Sequence, residues 1–189
     1  LKKINFSVAS GTTLGIIGKT GSGKSTILEL ITRSYDTNQG QIYLGNEFIN
    51  CYDLSSLRSM ISYVPQNSFL FSDTIIENIK FGNYKADNLD VIETAKYSSI
   101  HSDINKFNDK YETLLGERGV NLSGGQIQRI AIARALLKKT KILILDDCFS
   151  SVDSKTEKDI LSNIKEIKKN ETVIIVSNKI KSVMHADLI

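Results

Sequence analysis

The chain has 189 residues, a net charge of +3, one proline and two cysteines, with 41% apolar and 24% charged residues. That size and balance fit one globular domain, or a core with a small subdomain, and exclude a disordered or fibrous chain. No run approaches the roughly 20 unbroken apolar residues of a membrane span, and the start, Leu1-Lys2-Lys3-Ile4-Asn5-Phe6, lacks a signal-peptide core, so any membrane role is expected to come through a partner. The densest basic run, Lys165 to Lys169, is broken by Glu166 and Ile167 as a solvated helix face would be, which gives nucleic-acid binding no footing. Cys51 and Cys148 form no C-x-x-C pair and read as inert or buried thiols in a reducing, cytosolic setting. The abrupt start at Leu1 and end at Ile189 suggest a piece of a domain that continues in both directions.

In chain order, Leu14-Gly15-Ile16-Ile17 is a short apolar run ending in a glycine-rich loop, and Ser25 to Ile31 follows with apolar residues at helical spacing, giving strand, loop, helix. Residues 41–44 and 61–64 alternate in polarity and suggest an antiparallel flank. From Ser68 to Leu137 strand signals are few, and amphipathic segments at Ile75 to Lys80, Leu89 to Ser99 and Gln126 to Leu137 predict a helical insert. Ile142 to Leu145 and Thr172 to Val176 are continuous, β-branched-rich runs, as expected of parallel strands covered on both faces. The expectation is an α/β fold with a core of residues 1–67 and 138–189 and a helical subdomain at 68–137.

In Gly18-Lys19-Thr20-Gly21-Ser22-Gly23-Lys24-Ser25, the glycines let backbone amides turn inward on a phosphate chain, with the positive end of the next helix behind them. Lys24 is expected to reach the β- and γ-phosphates of a nucleotide, Ser25 to bring a hydroxyl to Mg²⁺, and Thr26 to bond the α-phosphate. Asp146 closes the run Ile142 to Leu145, so its carboxylate is placed at the strand's carboxyl end, where ligands collect in open α/β sheets. A second glycine turn, Leu122-Ser123-Gly124-Gly125-Gln126, stands before a helical segment that begins near Gln126 and can present amides to another phosphate.

With these motifs in this order, the chain resembles the nucleotide-binding domain of an ATP-binding-cassette transporter, a P-loop NTPase with a RecA-like parallel core sheet, an antiparallel flank and an inserted helical subdomain. The resemblance implies ATP and Mg²⁺ as cofactors, with Ser25, Gln66 and Asp146 on the metal. Gln66, in Tyr63-Val64-Pro65-Gln66, resembles the Q-loop that also meets the attacking water and links the site to the membrane domain. Leu122 to Gln126 resembles the signature, whose Ser123, Gly124, Gly125 and Gln126 would contact ATP held by a second domain. Ser150-Ser151-Val152-Asp153 resembles the D-loop that contacts that partner. Phe69 to Ile79 and Leu115-Gly116-Glu117-Arg118-Gly119, similar to an X-loop, point to exporters with fused membrane domains, on the cytoplasmic face of the membrane.

Two positions depart from the family pattern. Asp147 stands where the family has a Glu general base, and Asn178, in Ser177-Asn178-Lys179, where it has a switch histidine. A carboxylate one methylene shorter and an amide that cannot become cationic predict slow hydrolysis at this chain's own loop. Together they resemble the degenerate half of a heterodimeric exporter, whose intact signature completes the partner's site. The alternatives are a non-transport ATPase of the same superfamily and a nucleotide-gated regulatory module. His101 and His185 read as surface residues, and Phe6 and Tyr35 as packing residues.

Overall fold

The computed structural model describes Leu1, residues 3–116 and residues 121–189, and divides into two compact units, one of Leu1–Ser62, Thr140–Asp146 and Asn170–Ile189, the other of Tyr63–Lys139 and Asp147–Lys169. In the first unit, strand β1 (Thr13–Ile17) runs through the glycine loop into helix α1 (Lys24–Ile31). Strands β2 (Tyr43–Leu44) and β3 (Glu47–Phe48) form a separate antiparallel pair, followed by helix α2 (Leu54–Ser59). Asp53 caps α2 by accepting from the Ser56 amide at 2.9 Å. Arg58, on α2, donates to the carbonyls of Thr32 at 3.2 Å and Arg33 at 3.1 Å, satisfying groups left open at the end of α1.

The main sheet is parallel, in the order β1-β6-β5-β4, with β4 at Ile61–Val64, β5 at Ile142–Asp146 and β6 at Thr172–Ser177. All five residues of β5 and five of the six in β6 are buried, as their unbroken apolar runs require. Residues 61–64 are therefore an edge strand of this sheet and not part of the antiparallel flank; Tyr63 alone is exposed, which produced the apparent alternation. Leu14, Leu28, Leu57, Ile144, Ile174 and Val176 fill the core of the unit, each such side chain contributing about 1.5–3 kcal/mol when fully buried.

Phe6, Tyr35 and Cys51 are exposed, not packed inside, whereas Cys148 is buried. Phe6 instead lines an apolar cavity of about 330 Å³ with Ile4, Leu14, Ile16, Ile27 and Leu188.

The second unit is helical: α3 (Ile75–Lys80), α4 (Asn88–Tyr97), α5 (His101–Ile104), α6 (Gly124–Leu137) and α7 (Ser154–Ile167). Thr74, Asp87, Ser123 and Asp153 cap α3, α4, α6 and α7 through their side-chain oxygens. Leu70, Ile75, Ile79, Val91, Ile104 and Ile130 form its core. Asn78, 1% exposed, donates to the carbonyls of Phe71 and Thr74 and accepts from the Phe71 amide and Arg134, so a buried amide is fully partnered. Burial pushes the Arg134 guanidinium down to about 10, which leaves it cationic at neutral pH, lying over the rings of Phe71 and Phe81 at 5.4 and 5.6 Å. His185 is exposed, but His101 is half-buried between the Tyr111 hydroxyl at 2.8 Å and the Asn105 amide at 3.0 Å, so it is a packed residue of this unit and not a surface one.

Among the described residues, no helix is long and apolar enough to cross a membrane.

Candidate nucleotide site

In the first unit, the register puts three pieces on one sheet edge. Ile17 pairs with Ser177 and Asp146 with Val176, so the carboxyl ends of β1, β6 and β5 lie side by side. The glycine loop leaves β1 there, Asn178 follows β6, and Asp146 ends β5. Ile16 and Asp146 both pair with Val176, so they are two strand spacings apart, about 10 Å.

The loop's turns need glycine where φ is positive, +80° at Gly21 and +91° at Gly23. Gly23 stands at the N-cap of α1 and provides no side-chain cap, so the first N–H groups of the helix have no capping side chain to accept from them, as a helix end that can take an anion requires. Lys24 folds back over the loop, its Nζ donating to the carbonyls of Gly18 at 2.7 Å and Lys19 at 2.9 Å. The cation is thereby held at the loop before any phosphate arrives. Ser25 and Thr26 sit exposed in the first turn of α1; Asp146 is 4% exposed and Asn178 is exposed.

The second unit holds Gln66, Asp147 and the Leu122 to Gln126 turn. Gln66 Nε2 donates to Asp147 Oδ2 at 3.2 Å, which brings together two residues 81 positions apart in sequence. Asp147 has φ +44°, a left-handed conformation that Asp tolerates better than most residues.

Gly124 and Gly125 lie inside α6, not before it, and the helix starts two residues earlier than its apolar periodicity indicates. Ser123 is the N-cap of a capping box: its Oγ accepts from the Gln126 amide at 3.3 Å, and Gln126 Oε1 accepts from the Ser123 amide at 2.9 Å. A Cβ on Gly125 would come 2.7 Å from the Ser151 carbonyl oxygen and one on Gly124 would come 3.1 Å from Ser151 Oγ, so the glycines allow this helix end to lie directly on the 150–153 turn.

Sequence reasoning missed Gln128, 5% exposed, which donates through Nε2 to Ser150 Oγ at 2.8 Å and accepts from the Ser151 amide at 3.0 Å. Nothing local in the sequence marks it, because its partners lie 22 and 23 residues away. Asp153 turns its side chain to the amides of Lys155 and Thr156 at the start of α7, and the hydrogen bonds from Thr156 hold its carboxyl below the usual range. Glu117, Arg118 and Gly119 of the proposed X-loop lie outside the described residues.

Arg129 ties α6 to α5, with Nη2 on Asp103 Oδ2 at 2.6 Å and Nη1 on the Ser99 carbonyl at 2.5 Å. Burial pushes the Asp103 carboxyl up, but hydrogen bonds from Arg129 and Lys106 outweigh it and leave the carboxyl below its ordinary value. Because the folded state has the lower value, this contribution to stability is fully present above about pH 4 and fades as pH falls through the folded value. Denaturant unfolding between pH 3 and 6 should therefore show a loss on acidification that is smaller in Asp103→Asn; parallel profiles for the two proteins would contradict it.

A parallel sheet whose glycine loop opens directly into a helix, with an acidic residue closing the strand two places along, is a P-loop nucleotide-binding architecture. The ABC transporter sequence family matches residues 1–150, and the chain belongs to that family. It is 49% identical over 187 residues to the ABC transporter ATP-binding protein YknU of Bacillus subtilis, covering 99% of this chain and 32% of that protein. It is 48% identical to the multidrug resistance-like ATP-binding protein MdlA of Buchnera aphidicola, covering 100% of this chain and 33% of that protein. The structure of a bacterial Atm1-family ABC exporter with ATP bound matches with a TM-score of 0.94 at 40% identity, over 96% of this chain and 32% of that one. The chain thus spans about a third of the length of these relatives.

Proposed function

We propose that this chain is the ATP-driven motor domain of an ABC exporter, held at the cytoplasmic face of a membrane by transmembrane domains and paired with a second nucleotide-binding domain. The observation that carries the reading is the shared sheet edge, with the glycine loop, Asp146 and Asn178 at the ends of three adjacent strands. ATP is bound by the loop amides of residues 18–23, by Lys24, and by Ser25 and Thr26 in the first turn of α1. Lys24 exchanges its bonds to Gly18 and Lys19 for phosphate oxygens.

The donor set suits Mg²⁺: one buried carboxylate on Asp146 and one hydroxyl on Ser25 are hard oxygen ligands, and no group of three or more His, Cys, Asp or Glu that could cage a metal occurs among the described residues. That is how Mg²⁺ is held when phosphates and water complete its shell. Gln66 is the third candidate ligand. These residues would hold the ion where it would supply positive charge to offset that of the nucleotide's phosphates.

Asp147 is the general base for the attacking water, Gln66 orients it, and Asn178 donates a hydrogen bond to the γ-phosphate. Asp147 is short for this task and already holds the Gln66 amide at 3.2 Å, which supports weak hydrolysis at this loop. The signature, through Ser123, Gly124, Gly125 and Gln126, completes the active site on the partner, and Ser150 to Asp153 contacts that domain. The chain is then the degenerate half of a heterodimer, holding its own ATP mainly to keep the pair closed.

Lys24→Ala tests the nucleotide reading. The loss of a charge-assisted contact lowers MgATP affinity on the order of a hundredfold in equilibrium binding; unchanged affinity would sink the assignment of the loop.

A further inference from the structure

We infer that Gln128 is a positioning residue that fixes the spacing between the signature glycines and the 150–153 turn, so that the two surfaces facing the partner domain move as one body. This rests on the paired-domain reading above. Gln128 sits one turn beyond Gly124 on α6, is 5% exposed, and spends both ends of its amide on successive residues of one turn: Nε2 donates to Ser150 Oγ at 2.8 Å and Oε1 accepts from the Ser151 amide at 3.0 Å. Ser150 and Ser151 are themselves exposed, while Val152 anchors the turn from the core at 7% exposure.

Further contacts give the tether its leverage. The bare Cα of Gly125 lets the Ser151 carbonyl lie against the start of α6, where a Cβ would be 2.7 Å away, and Gly124 similarly faces Ser151 Oγ. Ser123 and Gln126 lock the first turn of the helix by their reciprocal cap. The same turn leads back through the buried Cys148 and Phe149 to Asp147, which Gln66 holds at 3.2 Å. An apolar side chain of equal volume fills the space but leaves the Ser151 amide without its acceptor, so the turn relaxes away from the helix.

The test compares Gln128→Met and Gln128→Glu in the full-length protein. Gln128→Met fills the volume without polar ends. Gln128→Glu still accepts from the Ser151 amide, and from a Ser150 hydroxyl rotated to donate. Expected for Gln128→Met, which loses both hydrogen bonds, are faster hydrogen exchange at the Ser151 amide, MgATP affinity of this chain's own loop within about twofold of wild type, and MgATP-driven association with the partner domain weaker by about tenfold, the scale of an unsatisfied buried amide. Gln128→Glu should recover most of the association. A purely structural role would lower thermal stability and nucleotide affinity together and would not be rescued by Glu, and that result overturns the inference. Wild-type association in Gln128→Met overturns it too. Failure of the wild-type protein to associate on MgATP overturns instead the paired-domain reading on which it rests.

Discussion

Gly125→Ala is expected to lower ATP turnover by the assembled pair of domains about a hundredfold, since misplacing a reacting group by about 1 Å from its working geometry costs that much. The new Cβ would lie 2.7 Å from the Ser151 carbonyl oxygen, a backbone atom that cannot rotate aside. Either the amino end of α6 or the 150–153 turn must give way. Both are pinned: α6 by the Ser123 and Gln126 cap and by Arg129 on Asp103, the turn by Gln128. Overpacking of this kind costs about 1–3 kcal/mol, less than the roughly 5–15 kcal/mol by which folded domains are stable, so the variant should fold. Steady-state turnover with the wild-type partner reads the effect. Turnover equal to wild type would show that the helix end does not serve a phosphate.

The second large effect runs the other way. Asp147→Glu with Asn178→His is expected to raise hydrolysis at this chain's own loop by about a hundredfold, the scale on which general-base placement acts. Glu restores the missing methylene, and imidazole can carry a charge or a proton where an amide cannot. Glu is less at ease than Asp in the left-handed conformation of residue 147, φ +44°, so the double variant should lose up to about 1 kcal/mol of stability while gaining rate. Single-turnover hydrolysis with the partner's own loop disabled isolates the site. No gain in rate would mean that the Gln66 and Asp147 contact at 3.2 Å is already a productive geometry.

The parts of the site that the sequence made legible are those where chemistry is local. The glycine loop needs positive φ at Gly21 and Gly23 and could not be disguised, and Asp146 follows an apolar run too uniform to be anything but a covered strand. Ile61–Val64 was harder, because an edge strand with one exposed tyrosine imitates the alternation of a two-faced sheet. Gly124 and Gly125 looked like loop because glycine weakens helices, yet Ser123 with Gln126 three residues later is a readable capping box. Helix α7, with Ile160 and Ile164 buried on one face, was legible only at its end, where it stops at Ile167; Lys168, read as part of a solvated face, caps the helix and is buried. His101 and Gln128 owe their surroundings to Tyr111, Ser150 and Ser151, and distant partners leave no periodic trace.

The central claim is a division of labour: this chain's signature serves an active site on the partner, while its own carboxylate does little. It is tested most directly by measuring ATP turnover of the assembled, full-length pair with Asp147→Asn or Gly125→Ala placed in this chain alone. The account predicts that Asp147→Asn leaves most of the turnover and Gly125→Ala removes most of it. Turnover abolished by Asp147→Asn and preserved by Gly125→Ala would contradict it.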